Sequence, residues 1–330
     1  MIQNGFRIFL ETLGMERDEI VAATESVADF EDWLGKGGWL EAGFVIKETE
    51  IIDYSKNCIS RGLNSWNHYL ALVRYARYLK HDQATRWFIE LLDGSEVMEN
   101  LSKKVELELG SDLHQRIFGD LDLPVIGIPN QEKPAFTQVV MERIESLCGN
   151  ETCRSLLEDC LRDLSDEPHL KARRQYHECK NLDEYLQIRG KEYIAELENL
   201  QANDQLYYTQ PVTDEMLAFV RENPEILHGV RQGDILYKTK IPYLTAEYLK
   251  ETDHLRRRYL YCHCPWTRES ILQDEVNVPP TFCNCSVGFM KKPWEVIFGQ
   301  HLQAKMVQSV LAGDDFCRVE IYLPHDLHHP

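Results

Sequence analysis

The sequence lacks most of the signatures that would assign it at a glance. It contains no Gly-x-Ser-x-Gly elbow, no His-Glu-x-x-His pair and no Walker-type phosphate loop, so the common hydrolase and nucleotide-binding templates have no support. Gly35-Lys-Gly-Gly38 lacks the strand–turn–helix setting of a phosphate cradle. No apolar run approaches the ~20 residues needed to span a bilayer. The start, Met1-Ile-Gln-Asn-Gly-Phe-Arg7, has no basic region, apolar stretch or small-residue cleavage site, which is the pattern of a cytoplasmic chain. Positive charge is scarce. Against 54 Asp and Glu stand 36 Lys and Arg, a formal net charge of −18, and a field of that sign disfavours nucleic acid and anionic membranes as partners.

What is present is an ordinary globular composition of 330 residues, 43% hydrophobic and 27% charged, enough for two domains. The first 229 residues read as mainly helical. Tyr69, Leu70, Val73, Ala76 and Leu79 recur at helical steps after Trp66, and 15–34, 83–92 and 136–147 are similar. Asn181 and Thr213 are N-caps, the first followed by Glu184 at the capping-box position, and they predict helices from Leu182 and from Asp214. Pro124, Gly127 and Pro129 mark 119–134 as a loop and a sub-boundary. From residue 230 onwards strand signals appear, at 235–241, at 259–264, and in an antiparallel pair at 303–311 and 316–323. In the last segment Cys317, Val319, Ile321 and Leu323 share one face. The expected class is α+β, with a helical region at 1–229 and a cysteine-rich domain at 230–330.

Ten cysteines are present, five of them between Cys262 and Cys317. In a reducing compartment they call for burial, metal ligation or chemistry rather than disulfides. Cys262-His263-Cys264 and Cys283-Asn284-Cys285 are paired at a spacing that, on strands, puts both sulfurs on one face. Four converging thiolates would suit Zn²⁺ ahead of an iron–sulfur cluster, although structural zinc knuckles usually space their cysteines by two residues. Simple core packing or redox-active thiols are the alternatives. Cys317 and the five cysteines before residue 180 read as core. A nucleophilic role falls first to Cys283 or Cys262, and Glu269, at the start of a short helix over 268–272, is the candidate general base, though surface exposure is the ordinary state of a glutamate there. Arg256 and Arg258, within the only basic run, would hold an anionic group beside Trp266, or else mark a strand edge. His263, between the paired cysteines, is a further ligand, a proton shuttle or an exposed side chain. The histidines of His325-Asp-Leu-His-His329 carry ligand chemistry on what reads as a loose end.

The segments Cys283-Asn-Cys-Ser-Val-Gly-Phe-Met, Trp294-Glu-Val-Ile-Phe-Gly-Gln and Ser309-Val-Leu-Ala-Gly-Asp-Asp-Phe-Cys-Arg318 resemble the C-terminal half of the 4-vinyl reductase domain. They are also similar to the L-2-amino-thiazoline-4-carboxylic acid hydrolase family. The resemblance covers about residues 255–324 and rests on Cys283, Cys285, Gly288, Gly299, Gly313, Asp314 and Cys317. The Cys262-His-Cys-Pro-Trp266 block lies outside that pattern, and by this block the chain is similar to an uncharacterised bacterial family. The resemblance implies an antiparallel α+β unit that binds a small molecule or a metal, or a hydrolase that opens a cyclic amidine-like ring with water. The implied partner is a small anionic ligand, with a second copy of the chain, as a homodimer, the candidate protein partner.

Overall fold

A computed structural model describes residues 2–35 and 46–325. The stretch 36–38 and the histidines at 328 and 329 lie outside the described residues. The fold is α+β, and by packing it forms two units, 1–95 with 124–133, and 96–123 with 134–330. Among the described residues no helix is long and apolar enough to cross a membrane.

The first unit contains α1 (Ile2–Thr12), α2 (Arg17–Trp33), α3 (Glu48–Arg61), α4 (Trp66–Tyr78) and α5 (Asp82–Leu92). Each follows the three-to-four-residue apolar spacing seen in the sequence, and their inner faces supply Phe6, Phe30, Tyr54, Tyr69, Leu72 and Phe88 to one core. Ser65 caps α4 by accepting from the His68 amide at 3.2 Å. Trp66, expected on the apolar face, is instead half exposed at the first position of the helix. The chain crosses between the units twice within the proline-rich loop, after Leu123 and after Lys133. Its residues 124–133 return to this core, where the Gly127 amide donates to Leu91 O at 3.2 Å and Asn64 donates to Ile126 O at 3.0 Å.

The second unit begins with α6 (Val97–Leu109), α7 (Ser111–Phe118) and α8 (Lys133–Glu158), the last broken at Gly149, whose φ is 80°. Next come α9 (Glu167–Glu178), α10 (Leu182–Ala202), the short pair β1 (Leu206–Tyr207) and β2 (Gln210–Pro211), α11 (Asp214–Glu222) and α12 (Pro224–Leu227). The chain then forms β3 (Val230–Gln232), β4 (Ile235–Thr239), α13 (Thr245–Lys250), α14 (His254–Tyr261), α15 (Asn284–Phe298), β5 (Ala304–Gln308) and β6 (Arg318–Tyr322). The four later strands make an antiparallel sheet in the order β3-β4-β6-β5. Asn181 and Thr213 cap α10 and α11, accepting from the Glu184 and Met216 amides at 2.9 and 3.2 Å. Glu184 closes its end of the motif on the Lys180 amide rather than on that of Asn181.

Packing within this unit runs across residue 230. Tyr176, Leu182, Tyr185 and Leu186 of the helical stretch share a core with Leu236, Val319 and Ile321 of the sheet. A sheet of short strands needs an apolar cover, and α9, α10 and α15 provide it. For that reason residues 134–229 belong with the C-terminal strands and not with the first helices.

One strand expectation is overturned. Residues 259–261 are the end of helix α14, and 262–264 are not in a strand. Asp253 starts this helix by accepting from the Arg256 amide at 2.8 Å, and the straight-chain arginines that follow are good helix formers. The helix ends at Tyr261, where Cys262 turns extended at ψ 121°, and Pro265 keeps Cys264 from resuming helical geometry. The Cys283 pair is also not on a strand. Cys283 ends a 3-10 turn over Pro280–Cys283 and caps α15, placing Cys285 in the first helical turn. Gly299 closes α15 in the left-handed conformation at φ 69°.

Helix α15 approaches the chain after α8 closely at Gly288, where an added Cβ would lie 2.5 Å from Asp159 O. Because the obstacle is backbone, Gly288→Ala is expected to destabilise the protein by about 1–3 kcal/mol. Urea denaturation measures this, and an unchanged midpoint would refute the close packing.

Candidate functional site

Five cysteines from separate segments converge in the second unit. Cys262 follows α14, Cys264 lies in the next turn, Cys283 and Cys285 open α15, and Cys317 precedes β6. Cys262 and Cys317 belong to a small core with Tyr248, Tyr261, Ile271 and Val310. Cys285 packs against a second core containing Trp266, Val278 and Phe282, and Cys264 packs against both. All five are free thiols.

The surroundings of Cys262, Cys283, Cys285 and Cys317 keep these thiols protonated. Burial is the main cause, followed by neighbouring cysteines, and it pushes Cys262 and Cys285 up to about 12. Cys283 is raised well above the ordinary thiol range by the same causes, Cys317 being the foremost neighbour. Burial raises Cys317 too, against the opposing pull of the Lys240 ammonium. The sulfurs surround a region rather than grip a point. Among the described residues no three of them lie mutually within 4.8 Å.

The Gly-Asp hairpin connects to this cluster through hydrogen bonds. Gly313 takes a left-handed φ of 106°, and Asp314 Oδ2 then accepts from the Ser309 amide at 2.8 Å. Ser309, so held, places its Oγ 3.0 Å from Cys283 Sγ. After Cys317, Arg318 forms a two-pronged pair with Glu225, at 2.8 and 2.5 Å. Cys262 Sγ has a looser contact of 3.8 Å with Thr267 Oγ1.

The basic run does not converge on the thiols. Arg256 is largely exposed and 4.0 Å from Glu251, and Arg257 lies over the Tyr248 ring at 4.7 Å. Arg258 donates to Val310 O at 2.7 Å and Leu311 O at 3.4 Å, tying α14 to the hairpin turn. Trp266 is 1% exposed, a core side chain. His263 is half-buried, 2.7 Å from Ile241 O and edge-on to Tyr243. The local positive charge comes from residues that the sequence did not single out. Lys240 and Arg162 both stand over the exposed Phe289 ring, at 5.7 and 5.9 Å, and Lys240 donates to Ser286 at 3.0 Å. Both cations favour ionisation of Cys285.

The expectation of an exposed Glu269 is corrected. The short helix at 268–272 is a 3-10 turn, and Glu269 is buried in it, accepting from Tyr259 at 3.0 Å and paired with Arg268 at 3.4 Å. The Arg268 guanidinium is buried as well, 4.5 Å above Tyr243 and 5.4 Å from Tyr259. A paired and aromatic-enclosed carboxylate is the physical alternative to surface exposure when both partners are carried inward together.

Residues 238–328 match the profile of a family of unknown function, DUF6144. No curated protein and no solved structure matches the chain. The matched stretch contains all five clustered cysteines, Lys240, the Arg268–Glu269 pair and the Gly313-Asp314 turn.

Two outcomes are expected. Glu269→Ala should cost about 3–5 kcal/mol by removing the carboxylate paired with a buried guanidinium, whereas Tyr259→Phe should cost about 1.5–3 kcal/mol as a lost hydrogen bond to a charged group. Equal, small losses on urea titration would contradict the buried pair. For Cys262 and Cys285 the folded pKa lies above the unfolded one, so their contribution to stability is full below about pH 9 and declines towards about pH 12. The urea midpoint of the metal-free protein should fall over that window, and fall less in Cys262→Ala. Identical pH profiles for the two would show that the thiol is not so perturbed.

Proposed function

We propose that the second unit is a soft-metal-binding module in a cytoplasmic protein, with Cys262, Cys264, Cys283 and Cys285 as ligands and zinc as the ion. One observation carries the reading, the gathering of five free cysteines in one region beside Lys240. Thiolates there are costly on their own, and a bound cation supplies the charge that lets them ionise. Zinc takes thiolate sulfur at about 2.3 Å in a tetrahedron, so loading requires side-chain rotations that draw the sulfurs inward. Cys317, beside Lys240, is a neighbour of the ligand set, and Ser309 donates to Cys283 and stabilises its thiolate.

The small anionic ligand suggested by the resemblance to the 4-vinyl reductase domain fits best over Phe289. Lys240 and Arg162 there offer two cations and an exposed aromatic face next to Cys285. The hydrolase reading has weaker support. A cysteine nucleophile needs a lowered pKa, and those of Cys262 and Cys283 are raised. Glu269 is already paired with Arg268 and Tyr259, which argues against its use as a general base.

Metal analysis of the full chain purified under anaerobic conditions tests the proposal. It is expected to give about one zinc per chain at this site, lost in Cys262→Ser and Cys283→Ser variants. Metal-free folded protein that takes up no zinc, with all five thiols alkylated after unfolding, would overturn it.

A further inference from the structure

The first unit contains a second group of ligand-bearing side chains, assembled from three helices. Asp29 lies on α2, Tyr54, Cys58 and Arg61 lie along one face of α3, and His68 lies in the first turn of α4. The spacing of 54, 58 and 61 is the one that stacks side chains on a single helical face. Cys58 and Tyr54 are wholly buried, His68 is 8% exposed, and the Asp29 carboxylate reaches towards the rim. One ligand atom each from Asp29, Cys58 and His68 lie within 4.8 Å of one another, the only such set of three among the described residues.

We infer that Asp29, Cys58 and His68 form a binding site for one divalent, borderline-soft cation of the zinc class. Three different donor types meet here, a thiol, an imidazole nitrogen and a carboxylate oxygen, and zinc accepts all three. The separation of Cys58 Sγ and His68 Nε2 is 3.6 Å. Sulfur at about 2.3 Å and nitrogen at about 2.0–2.1 Å on neighbouring corners of a tetrahedron stand about 3.6 Å apart. These two atoms therefore already have the spacing of ligands to a common ion. A thiolate and a carboxylate together balance a divalent charge, and the Arg61 guanidinium on the same carboxylate adds one positive charge on the solvent side.

The surrounding groups hold the Asp29 carboxylate in the way metal sites require. Tyr54 donates to Asp29 Oδ2 at 2.9 Å, and its oxygen, its one proton so used, accepts from His68 Nε2–H at 2.8 Å in the metal-free site. Arg61 reaches the same carboxylate from the solvent side, at 2.7 and 3.2 Å. These three bonds use three of the about four lone-pair sites of a carboxylate. The His68 ring is stacked on Tyr54 at 5.9 Å and edge-on to Tyr69 at 5.6 Å, which fixes its plane. Burial lowers the His68 pKa and so favours the neutral ring that a cation needs. On binding, the Cys58 thiol loses its proton to solvent, and the His68 proton moves from Nε2 to Nδ1, so that the ring gives up its hydrogen bond to Tyr54 and turns the Nε2 lone pair to the ion. Tyr54 keeps its proton for Asp29 and is a positioning residue.

Cadmium titration of the full chain, followed by cadmium NMR, tests this in the wild-type protein. The expected result is a resonance in the range of one-sulfur ligation, distinct from the sulfur-rich signals of the C-terminal cysteines, so either site can fail without the other. Cys58→Ser should abolish that resonance and remove one bound equivalent, and His68→Gln should weaken binding at least tenfold. Tyr54→Phe should retain the equivalent with about 10–100-fold lower affinity. A folded wild-type chain with no one-sulfur resonance would overturn the site. So would unchanged cadmium content in folded Cys58→Ser, leaving the group as a buried hydrogen-bond network only.

Discussion

Burial of thiols beside other thiols is the constraint on which the second unit turns. A lone buried cysteine is a small apolar side chain and costs little. Five of them in one region create a place where negative charge is penalised twice, by lost solvation and by mutual repulsion, and the raised pKa values express both. The surrounding structure is arranged to hold that region in place. Arg258 ties α14 to the hairpin turn, Asp314 orients Ser309 towards Cys283, and the 3-10 turn at 268–272 carries a buried ion pair behind the thiols.

The same logic separates the two roles a cysteine cluster can play. Nucleophilic sites lower a thiol's pKa with an adjacent base or cation, and open it to substrate. Here Lys240 and Arg162 favour the thiolate of Cys285, and Lys240 that of Cys317, and they oppose the burial effect without reversing it. A divalent ion entering the cluster would supply far more charge than one ammonium and at shorter range. That difference in magnitude favours metal binding over covalent chemistry for this module.

Much of the fold was legible in the sequence because its signals are local. Asn181 and Thr213 announce helices that begin one residue later, Gly299 and Gly313 are left-handed closures, and the alternation in 317–323 places Val319 and Ile321 in the core. Residues 259–264 misled, since a run of Tyr, Leu and Cys reads as strand until the Asp253 cap and Pro265 are weighed against it. The paired cysteines do come together in one region, but not for the geometric reason their spacing suggested, because neither pair lies on a strand. Lys240, Arg162 and Ser309 could not be found by spacing, since they reach the thiols only through the tertiary fold. Glu269 and Cys58 were hidden by averages: most glutamates are exposed and most buried cysteines are merely packed.

The central claim is that the clustered thiols are ligands. X-ray absorption at the zinc edge of the zinc-loaded chain, with Cys58→Ser as background so that only the C-terminal site contributes sulfur, tests it most directly. The account predicts a first shell dominated by sulfur at about 2.3 Å. A shell made only of nitrogen and oxygen, with the five C-terminal thiols still protonated, would contradict it.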